Sequence, residues 1–103
     1  MPRMEISFAD SALRDLEEVL AWCAEQGVPD VGARLVKEVF QRVQALDEHP
    51  DMGRVVPEFD QPFPRELIHP PFRIVYRRDP RRVRIIRIWR GERLLHLPAV
   101  DGE

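Results

Sequence analysis

The spacing of apolar residues changes period twice along the chain. Over Met4–Phe8, Ile6 and Phe8 fall on one side with polar neighbours between them, the two-residue period of a half-buried strand. From Leu13 the interval lengthens. Leu13, Leu16, Leu20 and Cys23 recur every third or fourth residue, Val19 widens the stripe, and Gly27 closes it. Asp10 places a carboxylate where the first unpaired amides of a helix favour one, so a helix is predicted from Asp10 to just before Gly27. A second helix is predicted from Pro29-Asp30 to about Leu46. Its apolar face is Leu35, Val36, Val39, Phe40, Val43 and Leu46, and His49-Pro50 stops it. The connection Gln26-Gly27-Val28-Pro29 is short, which favours an antiparallel helical hairpin.

Residues 47–64 hold Pro50, Gly53, Pro57, Pro62 and Pro64 and read as an irregular arm. Three strand-like runs follow: Arg65–His69, Phe72–Arg78 and Val83–Arg90. Pro70-Pro71 and Asp79-Pro80-Arg81-Arg82 break them apart. The predicted order is strand, two helices, three strands. This is an α+β fold in which the helical hairpin packs on an antiparallel sheet, with residues 1–103 forming one domain. Strand alternation puts Ile74 and Tyr76 on one face and Val75 on the other. It likewise pairs Ile85 with Trp89, and Ile86 with Ile88. Both sheet faces then carry apolar groups, and two helices cover only one. The other face is left for the C-terminal tail or a partner.

Composition adds limits rather than chemistry. With 103 residues and 44% hydrophobic side chains, the chain can build one thin core. No apolar run approaches the roughly 20 residues of a membrane span, and Met1-Pro2-Arg3-Met4-Glu5 does not lead into a signal peptide. A single cysteine, Cys23, offers neither a disulfide nor a thiolate cluster, which suits a reducing cytoplasm. The net charge of −2 conceals a division. Residues 1–64 carry six basic and thirteen acidic side chains, whereas residues 65–103 carry ten arginines, no lysine and five acidic side chains. An anionic partner is therefore expected at the C-terminal half, because guanidinium forks match carboxylates and phosphates.

Catalytic motifs are missing: there is no phosphate-binding loop, nucleophile elbow or zinc helix. Ser7 and Ser11 flank a helix start and read as capping or surface residues, and Cys23 falls on an apolar stripe as a buried thiol. His49, His69 and His96 have no spacing that suggests a metal, and no cofactor is expected. Arg73, Arg77, Arg84, Arg87, Arg90 and Arg93 lie on or just beyond adjacent strands. They form a band that suits phosphates and an acidic peptide equally. Tyr76 and Trp89 at strand spacing are more often core residues than stacking platforms.

With these elements in order, the chain resembles the ParE/RelE superfamily of type II toxins. Ile6-Ser7-Phe8 leading into Ala12–Glu18 is similar to the first strand and helix of the ParE branch, the plasmid stabilisation family. His49-Pro50-Asp51-Met52-Gly53-Arg54-Val55-Val56-Pro57-Glu58 resembles its arm, and Arg65-Glu66-Leu67 with Phe72-Arg73-Ile74-Val75-Tyr76 resembles its hairpin. Ile85–Arg93 is similar to its last strand, with Arg90 where many relatives carry histidine. The resemblance implies a cytoplasmic toxin without a membrane segment, held by a ParD-like antitoxin and able to enter larger toxin–antitoxin oligomers. It implies that DNA gyrase is the target and that Arg73, Arg77, Arg84, Arg87, Trp89, Arg90 and Arg93 bind target or antitoxin.

The RelE branch instead cuts mRNA on the ribosome, which requires proton transfer as well as cations at the phosphate. Here that set would be Arg73, Arg93, His69 and His96. The single lysine, Lys37, and the only tyrosine, Tyr76, are badly placed for it, which favours gyrase inhibition. A binding module of the same fold without toxicity is the third reading. Any apolar surface the helices leave open, ringed by the arginines of residues 65–103, would fit an amphipathic, acidic antitoxin tail that folds on binding.

Overall fold

The computed structural model describes residues 4–56 and 64–90. Strand β1 (Glu5–Phe8) leads into helices α1 (Asp10–Glu25) and α2 (Pro29–Gln44), and a 3-10 turn at Ala45–Asp47 follows. Then come β2 (Arg54–Val55), β3 (Pro64–His69), β4 (Phe72–Asp79) and β5 (Arg82–Arg90). The helix ends follow the predicted punctuation. Gly27 adopts φ 79° after α1, a backbone conformation that costs a glycine little. Pro29 opens α2, where its missing N–H would have been unpaired anyway.

The sheet is mixed rather than antiparallel. Its order is β1-β5-β4-β3-β2, and β1 runs parallel to β5, with Ile6 opposite Val83 and Phe8 opposite Ile85. The helical hairpin supplies the crossover that a parallel pair needs. The other pairs are antiparallel. The arm also contributes a strand: β2 adds Arg54 and Val55 beside Glu66 and Arg65.

The helices bury a stripe turned slightly from the one the spacing suggests. Ala12, Leu16, Val19 and Cys23 of α1 are buried, while Leu13 and Leu20 are about 40% exposed. On α2, Val39 and Val43 are buried and Phe40 is largely open, resting edgewise on Phe8 with ring centroids 5.0 Å apart. Close approach explains part of this. A Cβ on Gly32 would stand 2.9 Å from that of Cys23, so only glycine lets α2 lie this near α1. Cys23 is a buried free thiol, as its place on the stripe predicts.

Residue parity on β5 departs from simple alternation. Tyr76 faces Ile85 and Val75 faces Arg87, so Ile86 is an extra residue, a β-bulge. Before it, Val83 and Ile85 point at the helices; after it, Ile88 does. Ile85 and Trp89 therefore lie on opposite faces, which corrects the alternation expected above. On β4 the alternation holds, with Phe72, Ile74 and Tyr76 in the helix-side core and Val75 buried on the other face.

Candidate functional site

The face of the sheet away from the helices carries a continuous chain of charged and aromatic side chains. It starts at β2, where the Arg54 Nε–H donates to Glu66 Oε2 at 2.6 Å. The other oxygen of Glu66 accepts from Arg73 Nε at 2.6 Å. The Glu66 side chain is fully buried between these two guanidiniums, where an unpaired carboxylate would be costly. Arg73 stands directly opposite Trp89 across the β4–β5 ladder, its guanidinium 5.5 Å from the indole centroid. Arg87 also lies over that ring, at 5.7 Å, within the range of cation–π attraction. Arg87 then reaches Asp15 of α1 through two hydrogen bonds of 2.8 and 3.0 Å. This pairing holds the Arg87 proton even more firmly than usual.

The far end of that chain seals a strand edge. β1 stops at Phe8, so the edge of β5 away from β4 has no strand neighbour beyond Ile85. Helix α1 takes over the bonding. The Ala9 amide donates to the Ile85 carbonyl at 2.8 Å, and Ser11 Oγ donates to the Ile86 carbonyl at 2.6 Å. The Ile88 amide donates to Asp15 Oδ2 at 2.8 Å. Each group is a buried or half-buried polar atom that would otherwise go unpaired.

Where α1 and β5 diverge past Ile88, a cleft of about 350 Å3 opens, lined by Asp15, Glu18, Val19, Trp22 and Arg87–Arg90. Arg90 lies over the Trp22 ring at 4.6 Å, and Trp22 is 46% exposed. A second hollow of about 210 Å3 continues between Val19, Trp22, Leu35 and Phe72. An open indole beside apolar walls and guanidiniums is suited to an amphipathic segment with acidic residues.

The structure divides the arginines that the sequence grouped as one band. Arg73, Arg87 and Arg90 converge with Trp89 and Trp22 around the cleft and the chain above it. Arg77 and Arg84 face each other further along the same hairpin, and Arg77 Nε–H donates to Asp79 at 3.0 Å. Trp89 is half-buried on the outer face rather than in the core. Arg93 and His96 lie outside the described residues, as does Pro57-Glu58 of the arm.

His69 and Arg73 do not meet. His69 pairs in register with Phe72, a core residue on the helix side, and its Nε2 is 3.7 Å from Glu38 of α2. Arg73 sits on the opposite face beside Ile68. Tyr76 is spent on structure: its hydroxyl donates to the Pro50 carbonyl at 2.8 Å and accepts from the Gly53 amide at 3.0 Å. Burial raises its pKa above the ordinary 10.0. Among the described residues no group of three or more His, Cys, Asp or Glu could hold a metal, and no helix is long and apolar enough to cross a membrane.

Sequence reasoning missed Asp15, Ser11 and Trp22 as members of this constellation. Asp15 carries a readable signal, since it lies between Ala12, Leu16 and Val19 on the buried side of α1. A carboxylate there requires a partner across the fold. Trp22 gives no such signal, because it lies one position off the buried stripe.

Comparison with known proteins agrees with this fold. In fold the chain is similar to the toxin–antitoxin system described as chromosomal ParDE from P. aeruginosa, with a TM-score of 0.72 and 22% identity over 84% of this chain and 95% of that one. It is also similar to the RelBE2 toxin–antitoxin complex of Mycobacterium tuberculosis, with a TM-score of 0.60 and 22% identity over 87% of this chain and 93% of that one. No curated protein matches the chain in sequence. Residues 6–95 match the family described as ParE toxin of type II toxin-antitoxin system, parDE. That span takes in both helices, the arm and every strand that builds the outer face, so the chain belongs to the ParE toxin family.

Proposed function

We propose that this ParE-family toxin acts by binding and blocking DNA gyrase, and that a cognate antitoxin neutralises it. The observation that carries the choice of target is the separation of His69 from Arg73 on opposite faces of β3 and β4, together with the structural commitment of Tyr76. Cleavage of RNA needs a base for the 2′-hydroxyl, an acid for the leaving oxygen and cations at one phosphate. Among the described residues those groups do not face one site. A toxin that works by occupying its target needs only a shaped, charged surface, which the outer face supplies.

The antitoxin fits the cleft between α1 and β5. An apolar side chain beside Trp22 and Val19 would be removed from water, and a neighbouring carboxylate would meet Arg90 or Arg87. Part of that attraction should weaken with salt, while the apolar part should persist. The test is expression without antitoxin. Gyrase blockade produces filamentous cells and induction of the SOS response. Prompt cleavage of ribosome-bound mRNA with no SOS induction would instead assign the chain to the RNase reading.

A further inference from the structure

The second group of arginines lies apart from the cleft and from the chain of side chains that runs from Arg54 to Asp15. Five of the eight residues from Arg77 to Arg84 are arginine, against one acidic residue, Asp79. The fold gathers them at one end of the sheet, where β4 turns into β5. Arg77 and Arg84 are directly opposite in register, and both side chains are exposed on the outer face. Like charges so placed repel and reduce stability unless something uses them. Local carboxylates answer only part of the charge. Asp79 takes Arg77 at 3.0 Å, Asp51 takes Arg78 at 2.9 Å, and Glu5 approaches Arg82 at 3.8 Å. Arg81 and Arg84 make no ion pair with a described carboxylate.

What surrounds these guanidiniums decides what they bind. A peptide held specifically needs apolar anchors as well as charge. Among the described residues the exposed large hydrophobic side chains are Leu13, Leu20, Trp22, Val28, Phe40, Met52, Val55 and Ile68, and none lies in residues 77–84. The aromatic cleft is at the other end of β5, about 16 Å away at the strand rise of ~3.3 Å per residue. Among the described residues, the hairpin tip itself therefore presents guanidinium without a large exposed apolar side chain of its own. Such a surface suits a regular row of phosphates, which requires charge and hydrogen-bond donors alone. From this we infer that the tip of the β4–β5 hairpin is a contact site for the phosphate backbone of duplex DNA, read without regard to sequence. The inference goes beyond gyrase blockade, since it concerns the chain's own affinity for DNA. If the gyrase reading holds, it gives the toxin a grip on the DNA that gyrase carries.

The test uses the full chain and a short fluorescent DNA duplex of mixed sequence, with anisotropy followed as salt rises. Contact with about three phosphates predicts a loss of affinity of ~40-fold between ~50 and ~200 mM salt. The triple variant Arg77→Glu, Arg81→Glu, Arg84→Glu should lose binding by more than about tenfold at the lower salt. A control triple, Arg34→Glu, Lys37→Glu, Arg42→Glu on α2, makes the same change in net charge and should bind as the parent does. The single change Arg81→Glu, in the exposed turn, guards against misfolding of the triple and should weaken binding on its own. No binding at ~50 mM salt would overturn the inference. So would equal loss in the α2 control, or polyglutamate competing as well as DNA of equal charge. Supercoiling is assayed separately, and a failure there would count against the gyrase reading without touching the DNA contact.

Discussion

Asp15 of α1 and Arg87 of β5 are joined by two hydrogen bonds of 2.8 and 3.0 Å, and the same Asp15 carboxylate accepts the Ile88 amide at 2.8 Å. One side chain thus ends an unpaired strand edge and orients an arginine over Trp89. Replacing Asp15 with alanine leaves a buried amide without a partner and frees Arg87. The expected loss is about 2–4 kcal/mol of unfolding free energy, read from urea denaturation. A loss below about 0.5 kcal/mol would mean that water replaces the carboxylate and the edge is not sealed as described.

The arm is fixed by Tyr76 and Gly53. Tyr76→Phe strands the Gly53 amide and the Pro50 carbonyl and should cost about 1–2 kcal/mol. Gly53→Ala should cost more, because a Cβ there would stand 2.6 Å from the Glu66 carbonyl and 2.7 Å from the Tyr76 hydroxyl. Thermal melts of the two variants give the order directly. A Gly53→Ala protein as stable as the parent would contradict the close approach.

Glu66 and Arg54 are bonded partners with unequal weight. Glu66 is fully buried and Arg54 is 62% exposed, so solvent screens the arginine but not the carboxylate. Glu66→Ala removes the buried carboxylate that bonds Arg73, itself only 12% exposed, and should cost about 3–5 kcal/mol. Arg54→Ala should cost no more than about 1 kcal/mol. Equal losses in the two variants would show that the network is not organised around Glu66.

Alkaline pH should act through Tyr76. Its pKa is raised by burial above the ordinary 10.0, so the folded state holds the phenolic proton more tightly than the unfolded chain does. The stability this contributes is complete below pH 10.0 and is lost as pH rises through the folded value. The parent should lose stability above that pH more steeply than Tyr76→Phe, which has no proton to give up. Parallel curves for the two proteins would contradict the assignment.

Much of this architecture is legible in the sequence because it rests on local period and punctuation. Leu16, Val19 and Cys23 mark α1, Val39 and Val43 mark α2, and the proline breaks separate β3, β4 and β5. The parallel placement of β1 is not legible, since strand alternation is the same whichever way a neighbour runs. The bulge at Ile86 is equally silent, because a run of β-branched residues fits both parities, and it alone moves Trp89 to the outer face. The arginine band was visible in outline. Its division into a cleft group and a tip group depends on which carboxylates the fold brings near, and Asp15 and Arg87 are 72 residues apart in the chain.

The claim that gyrase is the target is tested most directly with purified proteins. The toxin is titrated into a supercoiling reaction with relaxed plasmid, gyrase and ATP, and into a parallel ribosome-dependent mRNA cleavage reaction. The account predicts that supercoiling falls as toxin is added and is restored by the cognate antitoxin, while the mRNA stays intact. Undiminished supercoiling at a large molar excess of toxin, with the mRNA cut, would contradict it.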